Sequence, residues 1–520
     1  MTSLIFVLAF VAPAQAGDES PPADGSTPPA GGDAPPAQGG DAPPASSVDE
    51  DAMFGGGGAP LTPVASTTTD MGEVQIQETT NGDIASRLGL ADTRLTIGGK
   101  LYLRGAASFA EDTDFAKTPY SSPNLLDLFT DIRPNDHVRG YAQARMKYDF
   151  TVAAGDTDSF GNALESGSVS LDQLWLKFDV ANRVYITTGR QRIKWGSGRF
   201  WNPTDFMNQQ TLDALNATVF DERTGVTLLK VHVPIESIGA NLYAVANFDG
   251  ADTFDQVGGA LRTEWVLGPS EIALSAAARK GDPLRLGADA SVGLGPVDLH
   301  VEGTVKHGDK STYYKGKFDI DALPDLTIED FMDGSAVDAL SFPTEVDRSD
   351  EWIPQVVAGA EVGFKVGDDD TVYVGAEYFH NGAGYADAKL LPWLFLSGAY
   401  QPFYTGQDYF GAYVAAPSPG RWDDTSFTAS TLGNLSDHSY VSRLDVSTRV
   451  NTLLTLNAYA SVYYGETGEF HFSYHLDPNE NIDASVLDGT DLETFKPLLQ
   501  DGLDLRAPVA DVGLGATVNF

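Results

Sequence analysis

The chain contains no cysteine among its 520 residues. This absence excludes disulfide bonds, thiolate zinc sites, covalent c-type haem attachment and catalysis by a thiol nucleophile. Basic residues are also scarce, with 33 Lys and Arg against 73 Asp and Glu and a formal net charge of -40. A nucleic-acid-binding protein needs a basic surface to neutralise phosphates, so we expect no nucleic-acid partner.

Long apolar runs are absent as well, except near the N-terminus. There Leu4–Val11 is uninterrupted and apolar, and Ala14-Gln15-Ala16 has the small-x-small form of a cleavage site. Residues 1–16 therefore predict a secretory signal peptide. No later run approaches the ~20 residues that a membrane helix needs. A chain that crosses a membrane without such a helix must do so as a closed β-barrel.

A low-complexity tract follows the predicted signal. Residues 17–66 are rich in Pro, Gly, Ala and Asp, and the sequence GGDAPPA occurs at Gly31–Ala37 and again at Gly39–Ala45. Such a composition buries too little apolar area to offset the entropy of ordering, which predicts a disordered periplasmic linker. Residues 67–93 are less biased, and we expect a short periplasmic segment there that could rest in the mouth of a barrel.

Period-two alternation begins at Arg94 and continues to Phe520. Leu284–Leu294, for example, sets Leu and Ala against Arg285, Asp289 and Ser291. Many segments have about the ~9–11 residues of a tilted transmembrane strand. The pattern predicts an all-β fold over residues 94–520, a single transmembrane antiparallel β-barrel of about 18 strands (16–18). That count includes a weak strand at Leu125–Ile132, and residues 393–437 are the stretch where it could change by two.

Short connections alternate with long ones, as the turns and outer loops of such a barrel do. The short candidates are Arg133–Asp136, Ala181-Asn182, Pro234–Ser237, Gly268-Pro269, Gly295-Pro296 and Gly367–Asp370. The long candidates are residues 151–167, 196–222, 307–353, 382–406 and 477–505.

The last strand has the clearest pattern. Its apolar face consists of Val512, Leu514, Ala516, Val518 and Phe520. An alternating apolar series that ends in a terminal aromatic resembles the signal that the barrel-assembly machinery of outer membranes reads. We therefore expect a Gram-negative outer-membrane location, with that machinery, outer-membrane lipid and lipopolysaccharide as partners.

One block concentrates cations and aromatic residues where a strand runs into a long loop. Residues 189–206 read GRQRIKWGSGRFWNPTDF. Glycines permit sharp bending, and guanidinium groups suit carboxylate or phosphate. The block predicts a loop folded inward that narrows a pore, with constriction candidates Trp195, Gly196, Gly198, Trp201, Asn202 and Asp205. The alternative is an ion-paired wall in which the cations meet acids such as Asp172 or Asp179.

Strand parity also predicts which charged residues line the lumen. The pore-lining candidates are Lys100, Arg104, Arg139, Arg145, Lys147, Lys177, Arg190, Arg192, Lys194, Arg199 and Glu377. Further acidic candidates come later in the chain: Glu264, Asp289, Asp298, Glu302 and Glu361. Because the cations lie mostly in the first third, the pattern predicts one basic and one acidic wall.

Two blocks carry a family resemblance. Residues 189–206, together with Gly375–Tyr385 (GAEYFHNGAGY), resemble blocks of large outer-membrane porins of the alginate-export type and of related uncharacterised barrel families. The resemblance implies a single-chain barrel of sixteen to eighteen strands with an electropositive lumen suited to polyanions. By position, Arg190, Arg192, Lys194 and Arg199 would line that lumen.

Catalytic patterns are weak. The chain has neither a GxSxG motif nor a P-loop, and its eight histidines are scattered. His471 and His475 share a strand face, but i and i+4 on a strand lie ~13 Å apart, too far to share a metal. The acidic stretch 307–353 fits a solvated loop, with divalent-cation binding as the alternative. We expect no enzymatic activity, no catalytic residues, no cofactor and no metal.

Together these patterns predict a porin-like outer-membrane channel for an unknown solute. Passage would be passive or substrate-selective, and the basic block favours anionic solutes that carry carboxylate or phosphate. The alternatives are a plugged barrel whose long acidic loops bind a partner or a surface polymer, and a membrane-embedded hydrolase.

Overall fold

The structure is a computed structural model that describes residues 94–111, 114–156, 164–207, 224–366, 370–476 and 502–520. The predicted signal peptide, linker and segment 67–93 lie outside these ranges. Among the residues that the structure describes, no helix is long and apolar enough to span a membrane.

Within these ranges, eighteen antiparallel strands form one closed barrel. Their bounds are β1 Leu95–Ala110, β2 Pro123–Asn135, β3 Val138–Asp149, β4 Gly167–Val180, β5 Val184–Gln191, β6 Val226–Ile235, β7 Ala240–Asn247, β8 Gly258–Leu267, β9 Ser270–Ala278, β10 Leu284–Leu294, β11 Val297–His307, β12 Trp352–Val366, β13 Asp370–Asn381, β14 Asp408–Pro417, β15 Thr425–Asn434, β16 Ser439–Arg449, β17 Leu454–Gly465 and β18 Pro508–Asn519. Each strand pairs with its sequence neighbours, and β1 pairs with β18 to close the ring. The predicted fold class and strand number are confirmed.

The strands divide the barrel into a short-turn end and a long-loop end. β4 and β5 meet through Ala181 and Asn182, both with positive φ, and Gly268-Pro269 and Gly295-Pro296 make two more short turns. The turn predicted at Pro234–Ser237 is shifted, because β6 continues to Ile235 and a 3-10 turn occupies Glu236–Ile238. The uncertain stretch 393–437 contributes two strands, β14 and β15.

Alternation separates an outer from an inner face. On β10, Leu284 and Leu286 point outward with about 40 % of their surface exposed, while Asp289 points inward and is buried. Parity breaks once in β4, where the register with β3 passes from Gln173 to Leu171. Asp172 is the extra residue of this β-bulge, and both Asp172 and Gln173 are buried. The outward apolar set then continues with Leu174 and Leu176.

The long loops carry structure of their own, which we call the outer cap. It comprises residues 308–351, 382–407, 466–476 and 502–507. Its elements are the strand pairs Tyr313–Lys315 with Thr344–Val346 and Ser473–Leu476 with Leu503–Arg506, the 3-10 helices Ile320–Asp325 and Ala388–Leu390, and the helices α1 Ile328–Asp333, α2 Ser335–Leu340 and α3 Leu391–Leu396. The 3-10 helix Ile320–Asp325, α2, α3 and the second strand pair share a core that includes Phe318, Leu340, Leu391, Phe395 and Leu505. The acidic loop is therefore folded rather than merely solvated.

Three short elements complete the fold. The two-residue strand Tyr120–Ser121 pairs with β1, and 3-10 turns occupy Phe115–Lys117 and Phe254–Gln256. They lie in the connections at the long-loop end and do not interrupt the ring of strands.

Candidate functional site

The segment that follows β5 enters the barrel. We call residues 192–207 the inner loop. Gly189 and Gly196 have φ of +118° and +93°, values that a residue with a side chain rarely adopts, and they bend the chain where the strand ends. A Cβ on Gly196 would also lie 2.6 Å from the Glu302 carboxylate. Side chains of β11–β14 contact residues 197–204, so the inner loop crosses the lumen to a nearly opposite wall.

Two wall carboxylates hold the backbone of the inner loop. Glu302 on β11 accepts hydrogen bonds from the N–H groups of Ser197 and Gly198 and, at 2.8 Å, from the Thr204 hydroxyl. Glu302 is completely buried. A buried carboxylate with several N–H and O–H donors makes strong charge-assisted hydrogen bonds. We call Glu302 and Glu377 the carboxylate clamp.

Glu377 on β13 forms the second half of this clamp. It accepts hydrogen bonds from the N–H of Arg199 and, at 2.8 Å, from the N–H of Phe200. His300 Nε2 lies 2.9 Å from the same carboxylate. The inner loop thus presents consecutive N–H groups to side chains more than 100 residues away along the chain.

The tip of the inner loop packs on the far wall through Arg199 and Trp201. The Arg199 guanidinium lies 3.5 Å from the centroid of the Tyr413 ring and 3.2 Å from Glu361 Oε2. Trp201 is fully buried, stacks on Phe379 at 5.4 Å between centroids and makes a tilted contact with Tyr409 at 5.7 Å. The two sequence blocks that carry the family resemblance are therefore in direct contact, because Phe379 and Glu377 belong to the second block.

The base of the inner loop packs on the near wall. Trp195 and Ile193 are buried in a cluster with Val226 and Leu228 of β6 and Tyr243 of β7. The remaining constriction candidates, Asn202 and Asp205, form a turn in which the Asp205 N–H donates to the Asn202 carbonyl at 3.1 Å. The structure thus brings the six predicted constriction residues into one segment inside the barrel.

The spacing of Arg190, Arg192 and Lys194 in the basic block predicts that they share one strand face, but the structure places them in different surroundings. Strand geometry ends at Gln191, so Arg190, Arg192 and Lys194 do not share one strand face. Arg192 is buried in an ion pair with Asp172, whose side chain is inaccessible. Arg190 lies 3.4 Å from Asp249, and Lys194 is partly exposed. Arg199 of the inner loop instead contacts Glu361 and Tyr413 of the far wall.

The wall formed by β2 and β3 is ion-paired. Arg145 donates to Asp127 from Nε at 2.8 Å and from Nη2 at 2.7 Å, and Arg139 Nε donates to Asp131 at 3.1 Å. Both acids belong to the weak strand and were absent from the sequence-based set of lumen residues. The expected basic wall therefore carries matching acids.

The other cation candidates of β1, β3 and β4 have varied surroundings. Arg104 donates to the Tyr459 hydroxyl at 2.7 Å, and Lys177 lies 5.7 Å from the Tyr185 ring centroid. Lys100 pairs in register with Asp127, while Lys147 is exposed.

A cavity of about 1090 Å³ lies between the inner loop and the outer cap. It is lined by the charged residues Arg190, Asp205, Asp249, Arg279, Asp282, Arg285, Lys306, Asp309 and Lys310. Lys306 pairs with Asp309 at 2.6 Å, and Asp282 pairs with Lys310 and, at 3.9 Å, with Arg279. Burial raises the pKa of the lining residue Tyr385 to about 12, so its hydroxyl is neutral at physiological pH.

Arg285 differs from the other cations of the cavity. It is exposed on β10 opposite Lys306, and no ion pair is found for it among the described residues. The charged lining of the cavity therefore comprises five cations and four acids, and Arg285 is the cation without an ion pair among the described residues.

The C-terminal strand closes the ring. Val512, Leu514, Ala516 and Val518 alternate along β18, and all lie in the register that pairs β18 with β1. The Phe520 carbonyl accepts a hydrogen bond from the Gly99 N–H at 2.8 Å. In the described part of the chain, no group of three or more His, Asp or Glu side chains could hold a metal ion.

Comparisons with known proteins find similar solved structures only. No family model and no curated protein match this chain. It is similar to OccK8 (OprE) of Pseudomonas aeruginosa with a TM-score of 0.45 at 8% identity, over 82% of this chain and 98% of that chain. OccAB1 of Acinetobacter baumannii gives 0.45 at 9% identity over 82% and 96%. A triple mutant of the Rhodopseudomonas blastica porin gives 0.37 at 10% over 82% and 100%. These similarities identify no solute for this chain.

Proposed function

We propose that this chain is an outer-membrane channel whose lumen is narrowed by the inner loop. The observation that carries the proposal is the inner loop itself, which crosses the lumen and is fastened to the far wall by the carboxylate clamp. A barrel built only to anchor a surface loop has no need of a polar lumen or of a loop held across it. The channel would admit solutes through the cavity beneath the outer cap.

The outer surface of the barrel supports a membrane location. Exposed leucines and valines form its outward face, as lipid contact requires. Exposed aromatic residues occur near both ends, with Tyr148, Phe150 and Trp352 towards the long loops and Phe364 and Trp422 towards the short turns. Two aromatic girdles of this kind mark the interfaces of transmembrane barrels.

The finer proposal is that the solute carries a carboxylate or phosphate group. Arg285 supports it, because a guanidinium free of an internal partner can bind an oxyanion with two parallel hydrogen bonds. Membership of the alginate-export type is a further part of the proposal, and it rests on the two sequence blocks and on the contact between them.

A second candidate is a plugged barrel that binds a partner through its outer loops. The packed core of the outer cap favours it, since a folded cap can cover the mouth. Residues 307–353 carry twelve acids and four bases, so such a partner would be basic.

Planar-bilayer recording of the purified full-length chain separates these functions. A channel gives discrete conductance steps, and vesicles that contain it swell in small solutes faster than in large ones. A plugged barrel inserts and shows heat-modifiable migration in gels but gives no steps. That second outcome would contradict the proposed function.

A further inference from the structure

Phe403 lies between the inner loop and the last long loop of the outer cap. Its carbonyl accepts a hydrogen bond from Trp201 Nε1 at 3.1 Å. Its N–H donates to Glu469. One residue thus connects the tip of the inner loop to residue 469. Phe403 also has a φ of +65°, a left-handed conformation that residues other than glycine rarely adopt.

Glu469 is tied to the barrel by several other groups. It is buried, with 2% of its surface exposed, and it accepts hydrogen bonds from the Tyr409 hydroxyl at 2.5 Å and from the Asn434 amide at 2.9 Å. Its own N–H donates to Asp437 at 2.7 Å. Tyr409 is the second residue of β14 and Asn434 ends β15, so Glu469 anchors the Phe403 backbone to the rim of the barrel.

An unusual backbone conformation persists only where its surroundings impose it. At Phe403 a turn imposes it, because the Tyr404 N–H donates to the Gln401 carbonyl at 3.0 Å, and the hydrogen bond to Glu469 fastens this turn to the barrel rim. Without Glu469 the turn loses this attachment and shifts as a unit, which moves the Phe403 carbonyl away from the indole N–H of Trp201. Trp201 would lose its only hydrogen-bonded attachment to the outer cap in the described structure.

We propose that Glu469 is a positioning residue for the inner loop: it holds the N–H of Phe403, and the carbonyl of Phe403 in turn fixes Trp201 and the width of the lumen. The effect on conductance rests on the proposed channel function, whereas the mechanical link does not. The outer cap and the constriction are coupled through this link, so a molecule that displaces the last long loop also changes the constriction.

The test breaks the link from both ends. Glu469→Ala removes the acceptor for the Phe403 N–H. Trp201→Phe removes the indole N–H and keeps a ring against Phe379 and Tyr409. Glu466→Ala is the matched control, because Glu466 is an exposed glutamate of the same loop, 3.6 Å from His438. Glu469→Gln keeps an oxygen for the Phe403 N–H but loses the charge, so its effect should lie between those of the wild type and Glu469→Ala.

Single-channel conductance is the first readout. Glu469→Ala and Trp201→Phe should each raise the unit conductance. The double variant should have about the same unit conductance as the single variants, because both changes break the same link. Effects that add in the double variant would overturn the proposal. So would a folded Glu469→Ala protein with the conductance of the wild type and of Glu466→Ala.

A second readout does not depend on conduction. The chain has no cysteine, so Phe200→Cys introduces a single thiol at the tip of the inner loop. A membrane-impermeant maleimide should label it several times faster when Glu469 is alanine than when it is glutamate. Faster labelling in a barrel that gives no conductance steps would retain the link and reject the channel. An unchanged labelling rate would reject the link whether or not the barrel conducts. If Glu469→Ala does not insert, the same comparison is made with Trp201→Phe.

Discussion

At the scale of single residues, the decisive contrast is between cations that form ion pairs with buried aspartates and Arg285, which forms none among the described residues. Sequence parity predicts Arg139, Arg145 and Arg192 in the lumen, and the ion-paired alternative names Asp172 as an acid for the basic block, but the partners of Arg139 and Arg145 are not predicted. The structure places buried aspartates beside all three. The charges of an arginine and an aspartate in such a pair cancel at a distance. These three arginines therefore stabilise the wall rather than select solutes.

Arg192→Gln should therefore destabilise the barrel with little effect on ion selectivity. The change leaves the inaccessible Asp172 carboxylate without its nearest cation, since Arg145 Nη2 lies 3.8 Å away. Removing one member of a buried ion pair costs about 3 kcal/mol or more. Denaturant unfolding of the reconstituted barrel would measure this loss.

The control for Arg192→Gln is Arg449→Gln. Arg449 pairs with Asp424 at 2.8 Å, but both side chains are more than half exposed. Exposed ion pairs contribute roughly 0–1 kcal/mol, so this variant should unfold nearly as the wild type does. Equal destabilisation by the two variants, or a large shift in selectivity for Arg192→Gln, would contradict the ion-paired wall.

Arg285→Gln should act in the opposite way. Its guanidinium is exposed to the cavity, so its loss should shift the reversal potential in a salt gradient towards cation selectivity while stability stays unchanged. Arg421→Gln is the control, because it removes the same charge from an exposed turn at the other end of the barrel. Charges farther than a Debye length of about 8 Å are screened at physiological salt. Identical selectivity of Arg285→Gln and the wild type would remove the support for anionic solutes.

At the scale of elements, local pattern was a good guide to strands and a poor one to their tertiary partners. Alternation and turn residues predicted the strands, including the weak strand that became β2. The bulge at Asp172 broke parity, because one extra residue inverts the faces without leaving a distinctive sequence. Glycines and aromatics predicted an inward loop after β5. Its clamp could not be predicted, because Glu302 and Glu377 look like any other inward polar residues.

The C-terminal strand carries a prediction about assembly. Val518→Asp places a charge on the outward face beside β1, and deletion of Phe520 removes the terminal aromatic. Both changes should lower the amount of protein in the outer membrane severalfold, because both alter the series that the assembly machinery is expected to read. Fractionation and immunoblotting measure the effect.

Thr517→Asp is the control for the assembly prediction. It introduces the same charge at the neighbouring position of β18, on the inward face near Asn457. Inward polar substitutions avoid lipid and should be tolerated. Normal outer-membrane levels of both the Val518→Asp and Phe520-deletion proteins would show that the terminal series is not a required signal.

At the scale of the whole molecule, a closed ring of strands is combined with a segment that crosses it. The inner loop shares apolar clusters with the near wall and with the far wall, and the carboxylate clamp holds its middle. The outer cap covers the long-loop end and meets the inner loop at Phe403. Conduction through such a molecule depends on how firmly the inner loop is held.

The most direct test compares the unit conductance of the wild type with that of Glu302→Gln/Glu377→Gln. Each glutamate accepts at least two hydrogen bonds from the inner loop, and a hydrogen bond to a charged group contributes about 1.5–3 kcal/mol. Neutral amides should release the loop and widen the lumen. Asp445→Asn is the control, since this carboxylate pairs with Arg443 of its own strand at 2.8 Å. The account predicts conductance steps for the wild type, larger steps for the double variant and wild-type steps for the control. A folded wild type without steps, or a double variant with steps of wild-type size, would contradict it.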